Sequence, residues 1–244
     1  MSGTVGPRPE SIFNRFSLNF DGIDDYVDCS SAISSVSADN EGTFSVWYKP
    51  SSLSTNSNII TLTDRSASDV YFIIGWSNPS FLNNVFVQLR NGSSNTGFGL
   101  QTDTSPLSVG VWTHIAVVQN GVSAVIYING IAVPQTFFIS NNDQKWLNDL
   151  TINEFNIGKL VISSGSSNFT SGNLDEVSYF NTALSSSDIL TIFNGGVPND
   201  ITSLSPVSWW RFEEESGTTA TDSGSGGNDG TLENGVTRSI DVPS

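Results

Sequence analysis

The chain has 244 residues, 24 Asp and Glu against nine Lys and Arg, a formal net charge of −15 and one cysteine. That length suits a single large all-β domain with a substantial core. The positive charge is too sparse and scattered to displace counterions, which argues against a nucleic-acid partner and against anionic membrane surfaces. No apolar run approaches the roughly 20 residues of a membrane-spanning helix, so no membrane insertion is expected. Cys29 alone cannot form an internal disulfide, and the opening MSGTVGPRPESIFNRF lacks an apolar h-region.

Residues 1–15 carry two prolines and no periodic pattern, and read as an N-terminal arm. From Phe16 onward, short apolar runs alternate with Gly, Asn, Asp and Ser clusters, the pattern of a sandwich or jelly roll. Strands are predicted at Phe16–Phe20, Tyr26–Cys29, Thr43–Lys49, Asn58–Thr63, Val70–Trp76, Val85–Arg90 and Gly97–Thr102. Further strands are predicted at Trp112–Gln119, Ser123–Asn129, Phe155–Lys159 and Asn173–Phe180. Asn120-Gly121 separates two of these runs and predicts a type I′ hairpin turn, which needs φ > 0 at both central positions. A second pair, Asn129-Gly130, leads into Ile131-Ala-Val-Pro134.

One short helix is predicted near 185–195. Ser185 can cap it with Asp188 three residues on. Ile189, Ile192 and Phe193 give it an apolar face, and Gly195-Gly196 ends it before Pro198. It is expected to lie as a lid on the sandwich edge. Residues 199–244 follow as a separate segment, with the strand candidate Val207-Ser-Trp-Trp-Arg-Phe-Glu213 and a glycine-rich loop. Trp209, Trp210 and Phe212 would be an exposed apolar edge if left uncovered. They either complete the chain's own sandwich or dock on a partner.

Two segments carry a family resemblance: Phe16-Ser-Leu-Asn-Phe-Asp-Gly-Ile-Asp-Asp-Tyr-Val-Asp-Cys29 and Gly172-Asn-Leu-Asp-Glu-Val-Ser-Tyr-Phe-Asn-Thr-Ala-Leu-Ser185. The central pair Trp-Thr-His-Ile-Ala-Val-Val and Val-Ile-Tyr-Ile-Asn-Gly adds to it. Together they resemble the laminin-G-like, concanavalin A-like lectin-glucanase jelly roll. The resemblance covers residues 16–195 and implies an all-β, two-sheet antiparallel jelly-roll sandwich as a domain over residues 16–198. The tail from Val207 is similar to the segment that opens many such domains. The resemblance also implies a structural calcium held by a glycine-loop Asp and a closing-strand carboxylate, which nominates Asp222, Asn228 and Asp175. Asp21, Asp24 and Asp25 form a further acidic loop, read first as turn chemistry.

A sugar site needs an aromatic face for stacking and polar side chains for hydroxyls. Trp76 with Asn78, and Trp146 with Asn148 and Asp149, are the candidates. Tyr71, Gln88 and Arg90 can add contacts from a sheet face. Catalysis is not expected. Glucanases of this fold set acidic residues at alternating positions on one strand so that both face one cleft, and no such pattern occurs here. Glu213-Glu214-Glu215 reads as a solvated charge run. His114, the only histidine, lies mid-strand. No Cys/His cluster suggests zinc, and Gly224-Ser-Gly-Gly227 lacks the Lys of a phosphate loop.

These features predict a non-enzymatic binding protein. The leading expectation is a virion-exterior component of phage type: a head decoration, fibre or tail-associated adhesin. It would contact host-surface glycans and other virion proteins in many copies, as a homo-oligomer or multicopy array. The alternatives are a purely structural interaction protein without sugar binding, and a carbohydrate-binding module of a secreted bacterial protein.

Overall fold

The computed structural model describes residues 13–77, 83–92, 97–140 and 143–244. Two antiparallel sheets face each other. The first has the spatial order Ile131–Ala132 (β10), Ala124–Ile128 (β9), Thr113–Gln119 (β8), Gly42–Pro50 (β3), Ser171–Phe180 (β15), Ser17–Asp21 (β1) and Thr237–Ser239 (β19). Ser208–Trp210 (β16) also pairs with β15. The second runs Gln135–Ser140 (β11), Gly97–Thr102 (β7), Asn84–Asn91 (β6), Val70–Ser77 (β5), Ser57–Thr63 (β4), Glu154–Ile157 (β12), Tyr26–Asp28 (β2), Gly230–Glu233 (β18) and Thr219–Ala220 (β17). A small hairpin, Leu160–Ile162 (β13) with Gly165–Ser167 (β14), stands apart.

The core lies between the sheets. Phe44, Val46 and Tyr48 of β3, with Ile115 and Val117 of β8, meet Leu62 of β4 and Phe72, Ile74 and Trp76 of β5. Alternation makes this possible, since every second side chain of a strand points to one face. Aromatic contacts concentrate at Phe44, which stacks on Phe72 at 5.4 Å and meets Phe155 edge-on at 6.2 Å.

The helix, Ser186–Phe193, begins with the expected capping box: Asp188 N–H donates to Ser185 Oγ and Ser185 N–H donates to Asp188 Oδ2. It ends one residue before the glycines, because Asn194 itself takes the left-handed conformation (φ 46°). Its apolar side covers a sheet face rather than the sandwich edge. Ile189 and Ile192 pack on Ala116, Val118, Tyr127, Phe180 and Trp209, on the side of the first sheet turned away from the core. A further one-turn helix, Ile33–Val36, was not foreseen.

The two Asn-Gly pairs differ. Asn129 and Gly130 have φ of 50° and 80° and make a two-residue turn between β9 and β10, as a type I′ hairpin requires. At Asn120-Gly121 only Gly121 has positive φ (77°). There the Asn120 side chain accepts hydrogen bonds from the Val122 and Ser123 N–H groups, which closes a longer loop.

Residues 199–244 join both sheets of their own chain. β16 pairs with β15, β18 with β2 and β19 with β1. Trp209, Trp210 and Phe212, considered above as a partner-docking edge, are buried in cis. Trp210 meets Phe155 edge-on at 5.5 Å and its indole N–H donates to the Asn228 carbonyl. The acidic run is not simply solvated: Glu213 Oε1 accepts from the Arg15 and Phe16 N–H groups, and Glu214 Oε1 from Thr221 N–H.

Candidate functional site

The outer face of the second sheet carries the side chains that alternate with the core. On β5 these are Tyr71, Ile73, Gly75 and Ser77, and on β6 they are Phe86, Gln88 and Arg90, paired in register from Tyr71 with Arg90 to Gly75 with Phe86. Gly75 is required here, since a Cβ would come within 3.0 Å of the Phe86 ring. The β13–β14 hairpin forms one wall, with Leu160 packed against Tyr71 and Ile73. Phe138 of β11 lies against Gly99, where a Cβ would meet its ring at 2.3 Å.

Together these elements enclose a cavity of about 220 Å³ lined by Asn56, Asn58, Tyr71, Ile73, Ser77, Phe86, Gln88, Phe138, Leu160 and Asn168. Aromatic and aliphatic side chains and amide or hydroxyl groups line it, with no carboxylate among the described residues. Asn58 sits where the β4–β5 register shifts, a bulge that re-aims a side chain. Its backbone is pinned by Asn58 N–H to the Asn168 carbonyl at 2.9 Å and by the Thr170 hydroxyl to the Asn58 carbonyl at 3.0 Å. Asn58 and Ser77 are 1% and 2% exposed, yet Asn58 Nδ2 and Ser77 Oγ have no hydrogen-bond partner. Buried polar atoms are seldom left so.

The cavity sorts the expected sugar residues. Tyr71 and Gln88 line it, and the Arg90 guanidinium carbon stands 6.0 Å from the Tyr71 ring centre. Trp76 and Trp146 are both 0% exposed and belong to the core, so neither offers a stacking face. Trp76 is on the inward alternation of β5 and its indole N–H donates to the Leu53 carbonyl. Asn148 is exposed beside a buried Trp146, and Asn78 lies outside the described residues.

Farther along the same sheet face the surface becomes charged. Lys159 Nζ stands 3.2 Å from the Tyr26 ring centre, with its pKa lowered by burial. Arg65 pairs with Glu154 at 2.9 Å.

Of the calcium set expected at Asp222, Asn228 and Asp175, Asp222 and Asn228 are joined by a hydrogen bond from the Asn228 N–H at 2.7 Å, and Asp175 has other partners. Asp222 accepts from three backbone N–H groups, those of Trp209, Gly224 and Asn228, and so anchors the glycine loop. Asp175 is wholly buried and accepts instead from Asn14 Nδ2 and Glu176 N–H. Burial pushes the Asp175 carboxyl well up, with the Glu176 charge adding to it. Among the described residues, Asp21, Asp24 and Asp25 do converge, with ligand oxygens within 4.8 Å of one another, and could hold a metal ion. His114 is fully buried and bonded to Ser45 at 2.8 Å, with its pKa lowered by desolvation to about 3. No substrate can reach it.

A family model for the concanavalin A-like lectin/glucanases superfamily matches residues 21–190. The chain belongs to that superfamily. No curated protein sequence matches it. Among solved structures it is similar to the CBM40 domain of a Ruminococcus gnavus IT-sialidase bound to α2,3-sialyllactose. That match has 15% identity and a TM-score of 0.60, and covers 75% of this chain and 99% of that one. A Bacteroides ovatus protein described as carbohydrate-binding matches at 17% identity and a TM-score of 0.62, over 97% of this chain and 62% of that one. NanB sialidase from Streptococcus pneumoniae matches at 19% identity and a TM-score of 0.61, over 78% of this chain and 28% of the sialidase. At these identities the shared property is the fold.

Proposed function

We propose that this protein is a non-hydrolytic carbohydrate-binding module whose site is the cavity on the outer face of the second sheet. The observation that carries the reading is the cavity lining, in which Asn58 and Ser77, whose Nδ2 and Oγ are buried without a partner, stand with Tyr71, Phe86 and Phe138. A pyranose offers what these groups lack: C–H faces for the rings and hydroxyls for the amides. Hydrolysis would need two opposed carboxyl groups, and none lines the cavity among the described residues. The similarity to sialidase-associated and carbohydrate-binding domains supports this reading over a virion-surface one.

We further propose that Asp21, Asp24 and Asp25 hold a structural calcium. Their oxygens are hard donors at a spacing that suits such an ion.

The test is a glycan array with the folded full-length chain, followed by calorimetric titration of the hits. Binding that Tyr71→Ala weakens at least tenfold supports the cavity. A well-folded protein that binds no glycan refutes the module reading. Repeating the array in calcium and in EDTA separates the metal from the sugar: the cavity holds no carboxylate, so binding should survive chelation provided the fold does.

A further inference from the structure

Resting on that reading, we infer that the cavity selects an acidic sugar, one bearing a carboxylate or sulfate that Arg90 receives at the cavity rim.

Arg90 stands out among the described cations. Arg15, Arg65 and Arg211 pair with Glu side chains, and Lys49 and Lys145 with Asp side chains. Arg238 donates to the backbone carbonyls of Ser216 and Gly217, and Lys159 sits on Tyr26. Arg90, like Lys159, makes neither a side-chain hydrogen bond nor an ion pair, and of the two it is Arg90 that buries a donor, Nε, without a partner. A chain of net charge −15 does not lack carboxylates to pair with it. A buried cationic N–H is destabilising until an acceptor arrives.

Its position fits a ligand. Arg90 follows Gln88 on the outward alternation of β6, about 7 Å farther along the strand. A ring seated over Gln88 and Tyr71 can therefore extend a substituent to it. The Tyr71 ring, its centre 6.0 Å from the guanidinium carbon, is within cation–π reach and favours the guanidinium on that side of the cavity. Carboxylate and sulfate both present the paired oxygens that a guanidinium N–H fork matches. The acid-free lining removes the repulsion that an anion would meet elsewhere on this surface.

The experiment titrates the full-length chain with acidic oligosaccharides of sialyl, uronyl and sulfated types, each beside its carboxyl-reduced or desulfated counterpart. The expected result is at least tenfold tighter binding of one acidic form than of its neutral counterpart, and a ratio near one in Arg90→Gln. Equal binding of both members of every pair overturns the role of Arg90 and leaves the carbohydrate reading standing. No binding by any member overturns the carbohydrate reading, and this inference with it. Which acidic series keeps its preference distinguishes carboxylate from sulfate. If Arg90→Gln fails to fold, Arg90→Met takes its place, and an acidic preference left at its wild-type value in the folded variant overturns the role of Arg90.

Discussion

Replacing Glu176 by Gln should change how stability depends on pH. Glu176 lies at the bulge of β15, in the left-handed region (φ 50°), and is 5% exposed. It accepts from the Trp209 indole N–H at 2.5 Å and from Arg211 Nε at 3.4 Å. Asp175 beside it, and Glu213 with its partner Arg15, complete the charged surroundings. Burial raises the Glu176 pKa from 4.5 to about 7, against the opposing pull of Arg211 and Trp209. The folded state thus holds the proton more tightly than the unfolded state. Stability from this group is complete below pH 4.5 and is lost as pH rises through 7. At about 1.4 kcal/mol per pH unit, the full loss is about 3 kcal/mol. His114 works in the other direction. Its folded pKa, lowered from 6.5 to about 3, removes stability as pH falls below 6.5. The wild-type curve mixes the two effects, so the informative quantity is the difference between E176Q and wild type, in which His114 cancels. Urea unfolding followed by tryptophan fluorescence from pH 4 to 8 should show near-equal stability at the acid end. Toward pH 8 the variant should lead by up to about 3 kcal/mol. A difference that does not vary with pH would refute the assignment of a proton to this seam.

Four further outcomes are expected. Trp210→Ala removes a ring that is 0% exposed in the core, and urea unfolding should show a loss of about 3–5 kcal/mol. Truncation before Asn199 strips β16, β18 and β19 from both sheets, so calorimetry should show no cooperative unfolding. A folded truncated core would instead restore the partner-docking reading. Calcium at a hundred times its Kd should raise unfolding stability by about 2.7 kcal/mol over EDTA, and Asp21→Asn should abolish the rise. Phe138→Ala takes one wall from the cavity, and titration with an array hit should show weaker binding with little change in thermal midpoint.

The strands were legible because alternation is local. Tyr71-Phe-Ile-Ile-Gly-Trp-Ser77 shows two interleaved rows, and the structure buries Phe72, Ile74 and Trp76 as one of them. The same alternation placed Tyr71, Gln88 and Arg90 together on a sheet face, and in the structure Tyr71 and Gln88 line one cavity with Arg90 paired beside Tyr71. It also carried the signal that Trp76 is core, since Trp76 shares a row with Phe72 and Ile74. Treating it as an isolated aromatic near a strand end obscured that row. Trp146 had no such row to read, being outside the strands. Ser77 was likewise assignable from the β5 alternation, but that it lacks a partner was not. The rest of the cavity was beyond local reading. Asn58 depends on a bulge, Phe138 on a strand after Pro134, and Asn168 on a turn beyond the β13–β14 hairpin. Only the closed sandwich brings those segments together. The acidic residues divide by the same logic. Asp21, Asp24 and Asp25 are close in sequence and meet in space. Asp175 and Asp222 are distant, and each is held by its own N–H donors. A ligand set drawn from residues so far apart in sequence depends on how the backbone between them folds, which no local pattern carries; Asp222 meanwhile anchors the glycine loop around it.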